Sequence, residues 1–340
     1  MALPVNPIRT VDYHTAGEPF RIVVQGGPNP VGATVLERRL SAMTGEADAV
    51  RALLCNEPRG HADMYGCFLV PPNDTGAVLG ALFWHKDGFS TACGHGSIAL
   101  AVYAVDAGLV VAPDDGEVRF NIDVPSGRVG LTVRLKAGRI TSVAFANVAS
   151  FVIAHAVPIV TSIGTISVDV SYGGAIYASA RATDLDLRVE PGMLAQMIAI
   201  GREIKGQLSL RPESRHPTDD RLSGIYGTIW FDDLDSPEPG GGVRQRNCTV
   251  LADGEVDRSP CGSGTSARLA LLHAQNRIAV GEDLHHASVI GTTFQGRILG
   301  YADEPVDAIL TEVEGMAFRT GEHSFMLDPA DTLGLGFQLR

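Results

Sequence analysis

The sequence predicts a mixed α/β (α+β) fold of two pseudo-symmetric halves, each wrapping a curved β-sheet round one central helix. Three observations predict it. Cys93-Gly94-His95-Gly96-Ser97-Ile98-Ala99 and Cys261-Gly262-Ser263-Gly264-Thr265-Ser266-Ala267 both read Cys-Gly-x-Gly-x-x-Ala, 168 positions apart. Short β-rich runs bounded by Gly, Pro or Asp dominate the chain, and helices are few. The run Ser97–Ala107 is apolar nearly all round (Ile98, Leu100, Val102, Tyr103, Val105) and stops at Gly108. A helix without a polar face is buried on every side, which places it inside a curved sheet.

In chain order, the runs Arg21–Val24, Cys67–Val70, Val78–Trp84, Val118–Val124 and Gly130–Leu135 read as strands of the first half. Ile166–Ser171, Gly227–Phe231, Asn247–Leu251 and Ala287–Ile290 read as strands of the second. Leu185–Ile204 reads as one amphipathic helix. Thr265–Gln275 is the counterpart of Ser97–Ala107, made more amphipathic by Arg268 and His273. The polar stretches Arg211–Gly224 and Asp232–Arg246, the second with three consecutive glycines, read as surface loops or a cleft lid. The expected division is 1–155, carrying Cys93 and completed by 325–340, and 156–324, carrying Cys261.

Composition sets the function class. A chain of 340 residues, 45% hydrophobic and 19% charged, is long enough for two domains with full cores. The start, Met1 to Pro7, has neither the basic region nor the apolar stretch of a signal peptide. No run of about 18 apolar residues is present to span a membrane. The formal net charge of −12 argues against nucleic acid and anionic membranes, though not against a small anionic substrate, which feels the local field. Five cysteines without secretory context point to free thiols. The expectation is a cytoplasmic enzyme acting on a small molecule, with a homodimer left open.

The chemistry builds from the two repeated thiols. Each precedes a small-residue turn that opens a helix, where backbone N–H groups and the helix dipole favour a thiolate. Removing the Cα proton of an amino acid is hard, because the carbanion forms beside a carboxylate that is already negative. Two helix N-termini aimed at that carboxylate supply donors and positive dipole ends where charge develops. One thiolate then takes the proton from one face, and a thiol on the other returns one. A single base gives deprotonation; two opposed thiols give inversion with no cofactor.

Blander readings attach to several residues. Cys55, Cys67 and Cys248 read as small buried hydrophobes, and the Asn247-Cys248-Thr249 sequon has no force without secretion. His95 reads also as a packed helix-cap residue, and Asp257 as an ordinary turn acid. The Gly-x-Gly pairs match a loose dinucleotide fingerprint. Neither follows an apolar strand, and Asp257-Arg258-Ser259-Pro260 reads as no strand at all. Zinc at Cys93, His95 and Cys261 lacks any paired CxxC or HxxxH spacing, so no metal is expected. Tyr65, Phe89 and Tyr226 are core aromatics or walls of the substrate pocket.

The chain resembles the proline racemase superfamily: proline racemases, 4-hydroxyproline 2-epimerases and trans-3-hydroxy-L-proline dehydratases. The resemblance covers nearly the whole length. It rests on Asp12-Tyr13-His14-Thr15-Ala16-Gly17-Glu18-Pro19, Glu57-Pro58-Arg59-Gly60-His61, Asp63-Met64-Tyr65-Gly66, the Cys93 motif and Asp257-Arg258-Ser259-Pro260-Cys261-Gly262-Ser263-Gly264-Thr265. It implies the diaminopimelate-epimerase-like fold, with an imino acid such as proline or hydroxyproline bound between the halves. By position it implies Cys93 and Cys261 as the acid/base pair, and Gly94, His95, Gly262 and Ser263 as holders of the carboxylate. Asp257 would receive the ring nitrogen. Ser263 stands where many relatives have Thr, and a backbone donor survives that change.

Within the superfamily two signals diverge. Dehydratases of this type carry Thr in place of the second cysteine, because elimination needs no donor on the opposite face; Cys261 therefore favours racemisation or 2-epimerisation. The flanks Met64-Tyr65-Gly66, His85-Lys86-Asp87-Gly88-Phe89-Ser90, Gly224-Ile225-Tyr226-Gly227-Thr228 and Ala252-Asp253-Gly254-Glu255 look like the dehydratase branch. Epimerases for 4-hydroxyproline tend to have a histidine near Tyr226. The first reading is a two-thiol racemase or 2-epimerase, and the alternative is trans-3-hydroxy-L-proline dehydration. A binding scaffold without acid/base chemistry would be marked by loss of a thiol, and both thiols are present.

Overall fold

The computed structural model describes residues 7–236 and 242–339. The reading of the chain start, on residues 1–6, and the centre of the polar stretch Asp232–Arg246, residues 237–241, lie outside the described residues. The chain divides into Met1–Val143 with Met316–Arg340, and Ala144–Gly315. Position 155, where the sequence suggested a break, falls inside a continuous strand, and the C-terminal return begins with the strand Ala317–Phe325.

The first unit runs through β1 (Ile8–Thr15), β2 (Glu18–Gln25), α1 (Val35–Ala42), α2 (Glu46–Cys55), β3 (Gly66–Val70) and β4 (Leu79–His85). It continues with β5 (Gly88–Phe89), α3 (Gly94–Asp106), β6 (Gly116–Val124) and β7 (Gly127–Lys136), and β8 (Arg139–Ala146) leads out of it. The return strand pairs antiparallel with β1, and β1 antiparallel with β2. The sheet continues through β3 (parallel to β2), β4 (antiparallel), β6 (parallel) and β7 (antiparallel).

Every residue of β4 is buried, because the sheet is covered on both faces. Leu82 and Trp84 join Val35, Leu53 and Leu54 of α1 and α2 in one core cluster. Phe83, between them, turns to Phe20 of β2, whose ring meets His95 of α3 edge-on at 5.7 Å. The apolar helix α3 packs against β1, β2, β7 and the return strand.

The second unit runs through β9 (Phe151–Thr161), β10 (Gly164–Tyr172), β11 (Ile176–Arg181), α4 (Leu194–Leu208), β12 (Ile225–Asp233) and β13 (Val243–Leu251). It ends with β14 (Glu255–Asp257), α5 (Gly262–Ala274), β15 (Asp283–Ser288), β16 (Thr293–Tyr301) and β17 (Ile309–Gly315). Its pairing repeats that of the first unit. β10 is antiparallel to β9 and β11, β11 is parallel to β12, and β12 is antiparallel to β13. Across α5 the parallel partner of β13 is β15, followed antiparallel by β16 and β17. Each unit thus has a hairpin (β4–β5 or β13–β14), a cysteine, a buried helix and a parallel crossover, in that order. The repeat seen in the motifs extends to the whole topology.

The structure corrects several expectations. The helix expected over Leu185–Ile204 begins at Leu194, because Pro191 and Gly192 hold a 3₁₀ turn before it. The strand expected at Ala287–Ile290 is Asp283–Ser288. Asp257 ends a short strand, β14, where none was expected. Arg211–Gly224 is folded, with 3₁₀ turns at Pro212–Ser214 and Asp220–Leu222 and the His216 ring edge-on to Tyr172 at 4.7 Å. Arg268 does not make a polar face on α5. It is 1% exposed, its guanidinium lies 3.8 Å from the Phe231 ring centroid, and its Nε donates to Gln245 Oε1. The helices α1 and α2 were not foreseen, although Thr34 and Glu37 form a capping box readable in the sequence.

Candidate active site

In the first unit the β4–β5 hairpin delivers the chain to Cys93, the N-cap of α3. Cys93 is extended (φ −155°), and Gly96 N–H donates to its Sγ at 3.2 Å. The ring nitrogens of His95 lie 3.5 and 3.6 Å from the same sulfur. Burial between Phe20 and Tyr65 pushes the His95 imidazole down to about 3, so it is neutral at physiological pH. A neutral imidazole can support a thiolate without a second full charge. Tyr65 is buried, edge-on to His95 at 4.9 Å, and its hydroxyl is 2.6 Å from Ser90 Oγ. Phe89 belongs to the core cluster beneath α1 and α2.

The second unit repeats the plan with different chemistry. Cys261 is again the N-cap, of α5, but its φ of +63° and ψ of 101° put it in a left-handed conformation that non-glycine residues rarely adopt. Such a residue costs about 1–3 kcal/mol and needs support from its surroundings. Cys261 belongs to a buried cluster with Ala175, Tyr177, Ile229 and Ala267, and Tyr226 lies against that cluster. Two residues beyond each cysteine, His95 against Phe20 is replaced by the smaller Ser263 against Tyr177: Ser263 Oγ lies 2.7 Å from the Tyr177 hydroxyl, which is 3.8 Å from Cys261 Sγ. Tyr177 was not singled out from the sequence. Only its place on β11, equivalent to Phe20 on β2, signals it.

Asp257 ends β14 and accepts from both the N–H (2.8 Å) and hydroxyl (2.7 Å) of Ser259, whose Oγ accepts from Cys261 N–H at 3.0 Å. Burial pushes the Asp257 carboxyl up to about 6, against the pull of those Ser259 bonds. Burial, then the Asp257 charge, drives the Cys261 thiol well above its ordinary range, opposed by Gly264 N–H and the Tyr177 hydroxyl. Cys261 therefore rests as a protonated thiol. The remaining cysteines are buried, and burial raises Cys67 far up and Cys248 to about 12, as inert small hydrophobes.

The second glycine of each motif has a steric reason. A Cβ on Gly96 would lie 2.5 Å from the Phe20 ring and 2.7 Å from Cys93 Sγ, and one on Gly264 would lie 2.9 Å from Cys261 Sγ. The cysteine sulfur folds back over its own helix only because nothing projects there. Gly96→Ala should displace the thiol, since buried Phe20 cannot yield, and lower kcat on the order of 100-fold; steady-state kinetics of the purified variant measures it.

The first intrahelical bonds come from Ser97 N and Thr265 N, to Cys93 O and Cys261 O. The N–H groups of the preceding turn, at Gly94, His95, Gly262 and Ser263, are those a helix presents to acceptors outside it.

A family model described as proline racemase matches residues 10–338. The trans-3-hydroxy-L-proline dehydratase of Bacillus cereus is 40% identical over 331 residues, 97% of each chain. That of Azospirillum brasilense is 39% identical over 335 residues, 98% of each. The 3-hydroxyproline 2-epimerase of Burkholderia multivorans is likewise 39% identical over 335 residues, 98% of each. Among solved structures, a hydroxyproline epimerase from Agrobacterium vitis with bound trans-4-hydroxy-L-proline superposes with a TM-score of 0.90 at 30% identity, covering 98% of this chain and 96% of that one. A PhzF-family phenazine biosynthesis protein of Bacillus anthracis shares the fold at 10% identity and a TM-score of 0.57, covering 94% and 99%.

Proposed function

Because the chain belongs to the proline racemase family, we propose that it inverts Cα of a 3-hydroxyproline, with Cys93 and Cys261 as the acid/base pair and no cofactor. One observation carries the reading: each of the two topologically equivalent helices starts at a buried cysteine whose sulfur lies over the helix's first turn. The substrate class is supported by three relatives near 40% identity, whose names place the hydroxyl on C3 whether they eliminate it or epimerise beside it.

Backbone N–H groups of Gly94, His95, Gly262 and Ser263 hold the carboxylate, because no arginine lies within either motif to clamp it. Ionised Asp257 takes the cationic ring nitrogen. In the direction that starts from the L substrate, Cys93, which accepts from Gly96 N–H, acts as the base and Cys261 as the acid. Cys93 removes the Cα proton, Cys261 protonates the carbanion from the other face, and trans-3-hydroxy-L-proline becomes cis-3-hydroxy-D-proline.

A second reading, loss of water from trans-3-hydroxy-L-proline, is favoured by the dehydratase names among the relatives. One assay separates the two: incubation with L-proline, trans-4-hydroxy-L-proline and trans-3-hydroxy-L-proline in D₂O. The expected result is Cα deuteration with inversion, fastest on the 3-hydroxy substrate. Water loss as the main reaction selects the second reading, and no exchange on any substrate overturns both.

The Asp257 role predicts a pH dependence. The carboxylate must be ionised to bind the ring nitrogen, so kcat/KM should fall as pH drops through about 6. Its raised folded-state value also means that its neutral form favours folding. That contribution is present below about 4 and lost as pH rises through about 6. Asp257→Asn should remove the acid limb, raise KM strongly and flatten the thermal midpoint between pH 4 and 7. An unchanged acid limb in that variant would remove Asp257 from the site.

A further inference from the structure

The two cysteines differ in what holds their backbone. In each helix a hydroxyl four residues on donates to the cysteine carbonyl, Ser97 Oγ to Cys93 O and Thr265 Oγ1 to Cys261 O, both at 2.8 Å. At Cys261 that hydroxyl is the first member of a longer chain. Thr265 Oγ1 lies 2.8 Å from His286 Nδ1, His286 Nε2 lies 2.8 Å from Asn247 Nδ2, and Asn247 Nδ2 donates to Pro260 O at 2.6 Å. Thr265, His286 and Asn247 come from α5, β15 and β13, and none is exposed at all.

One assignment of donors satisfies every link. The Thr265 hydroxyl donates to Cys261 O, so its oxygen accepts from His286 Nδ1–H. The bare Nε2 accepts one amide hydrogen of Asn247, and the other goes to Pro260 O. The pattern needs a neutral imidazole, and burial, reinforced by Arg268, pushes His286 down to about 3. The carbonyls of Pro260 and Cys261 belong to the two peptide planes flanking the Cys261 Cα. Pinning both planes fixes φ and ψ of the one cysteine that departs from ordinary backbone geometry.

We infer that His286, with Thr265 and Asn247, positions the second thiol by locking Cys261 in its left-handed conformation. This rests on the reading of Cys261 as an acid/base group. None of the three side chains is assigned a contact with substrate; they act through the Cys261 backbone. With the lock broken, Cys261 relaxes toward ordinary backbone angles and its sulfur moves, while Cys93 stays in place.

The test uses Thr265→Val, Thr265→Ser and His286→Gln in the full chain, each compared with wild type and Cys261→Ala. Two readouts are taken: inversion kinetics, and the iodoacetamide alkylation rate of Cys261 relative to Cys93, resolved by peptide mass spectrometry. Thr265→Val should lower kcat on the order of 100-fold with KM changed far less, and should alter the Cys261:Cys93 alkylation ratio. Thr265→Ser, which keeps the hydroxyl, should restore both. His286→Gln, whose amide can serve one neighbour but not both, should fall between, and it supplies the reading if Thr265→Val does not fold. Wild-type kcat and alkylation ratio in Thr265→Val or His286→Gln overturn the inference. Equal changes at both thiols also overturn it, because they mark general loosening. If Cys261→Ala itself retains inversion, the failure belongs to the acid/base reading of Cys261.

Discussion

Cys93→Ala and Cys261→Ala should each abolish inversion of Cα, by at least about 10³-fold in kcat/KM. Inversion needs a base on one face and an acid on the other, and the two exchange roles when the reaction runs backward. Removing either sulfur therefore stops both directions, unlike loss of a binding contact, which would raise KM and spare kcat. The surviving thiol can still take a proton from its own face. Each single variant should accordingly exchange Cα hydrogen with D₂O for one enantiomer only, and the two variants should prefer opposite enantiomers. NMR of the deuterated products, with chiral chromatography, reads both quantities. Substantial inversion by either variant would sink the two-thiol mechanism.

Cys261→Thr should convert the enzyme from inversion toward elimination. Once the Cα proton has left trans-3-hydroxy-L-proline, the carbanion either accepts a proton from the opposite face or expels the hydroxyl from C3. A thiol on the face opposite the departing proton supplies the donor for the first outcome. Threonine is far too weak an acid to replace it, but its hydroxyl can still bond the departing oxygen. The ratio of water released to substrate inverted should rise by about 10² or more, with pyrroline-2-carboxylate as product. If wild type already releases water as its main reaction, and Cys261→Thr keeps that rate, dehydration is the native activity.

The site was legible in the sequence where its chemistry is local, and illegible where the fold assembles it. Cysteine, glycine and a helix start lie within a few residues of one another, and the same pattern recurs, so Cys93 and Cys261 stand out without any structure. The second glycines are explained only by the sulfur lying above them. Tyr177 is 84 residues from Cys261 and His286 is 25 beyond it; no local pattern marks either, because strand pairing alone brings them in. Arg268 shows the limit of periodicity. A charge on a helix reads as a solvent face, but the Phe231 ring and Gln245 cover this one. Apolar spacing alone extends a helix back to Leu185, but the ring of Pro191 forbids continuing the ladder toward its N-terminal side.

The strand Ala317–Phe325 gives the chain an order of assembly. Residues Ala144–Gly315 form one contiguous stretch of chain, so that unit can mature while the chain is still emerging from the ribosome. The unit that contains Cys93 is synthesised first yet must wait, because β1 stays open along one side until its partner, more than 300 residues later, has been made. Closure of so long a loop makes this the slow, high-contact-order step. During the wait β1 is an unprotected edge that can recruit another chain. Release from a stalled ribosome before residue 316 would leave a finished second unit tethered to an unclosed first one.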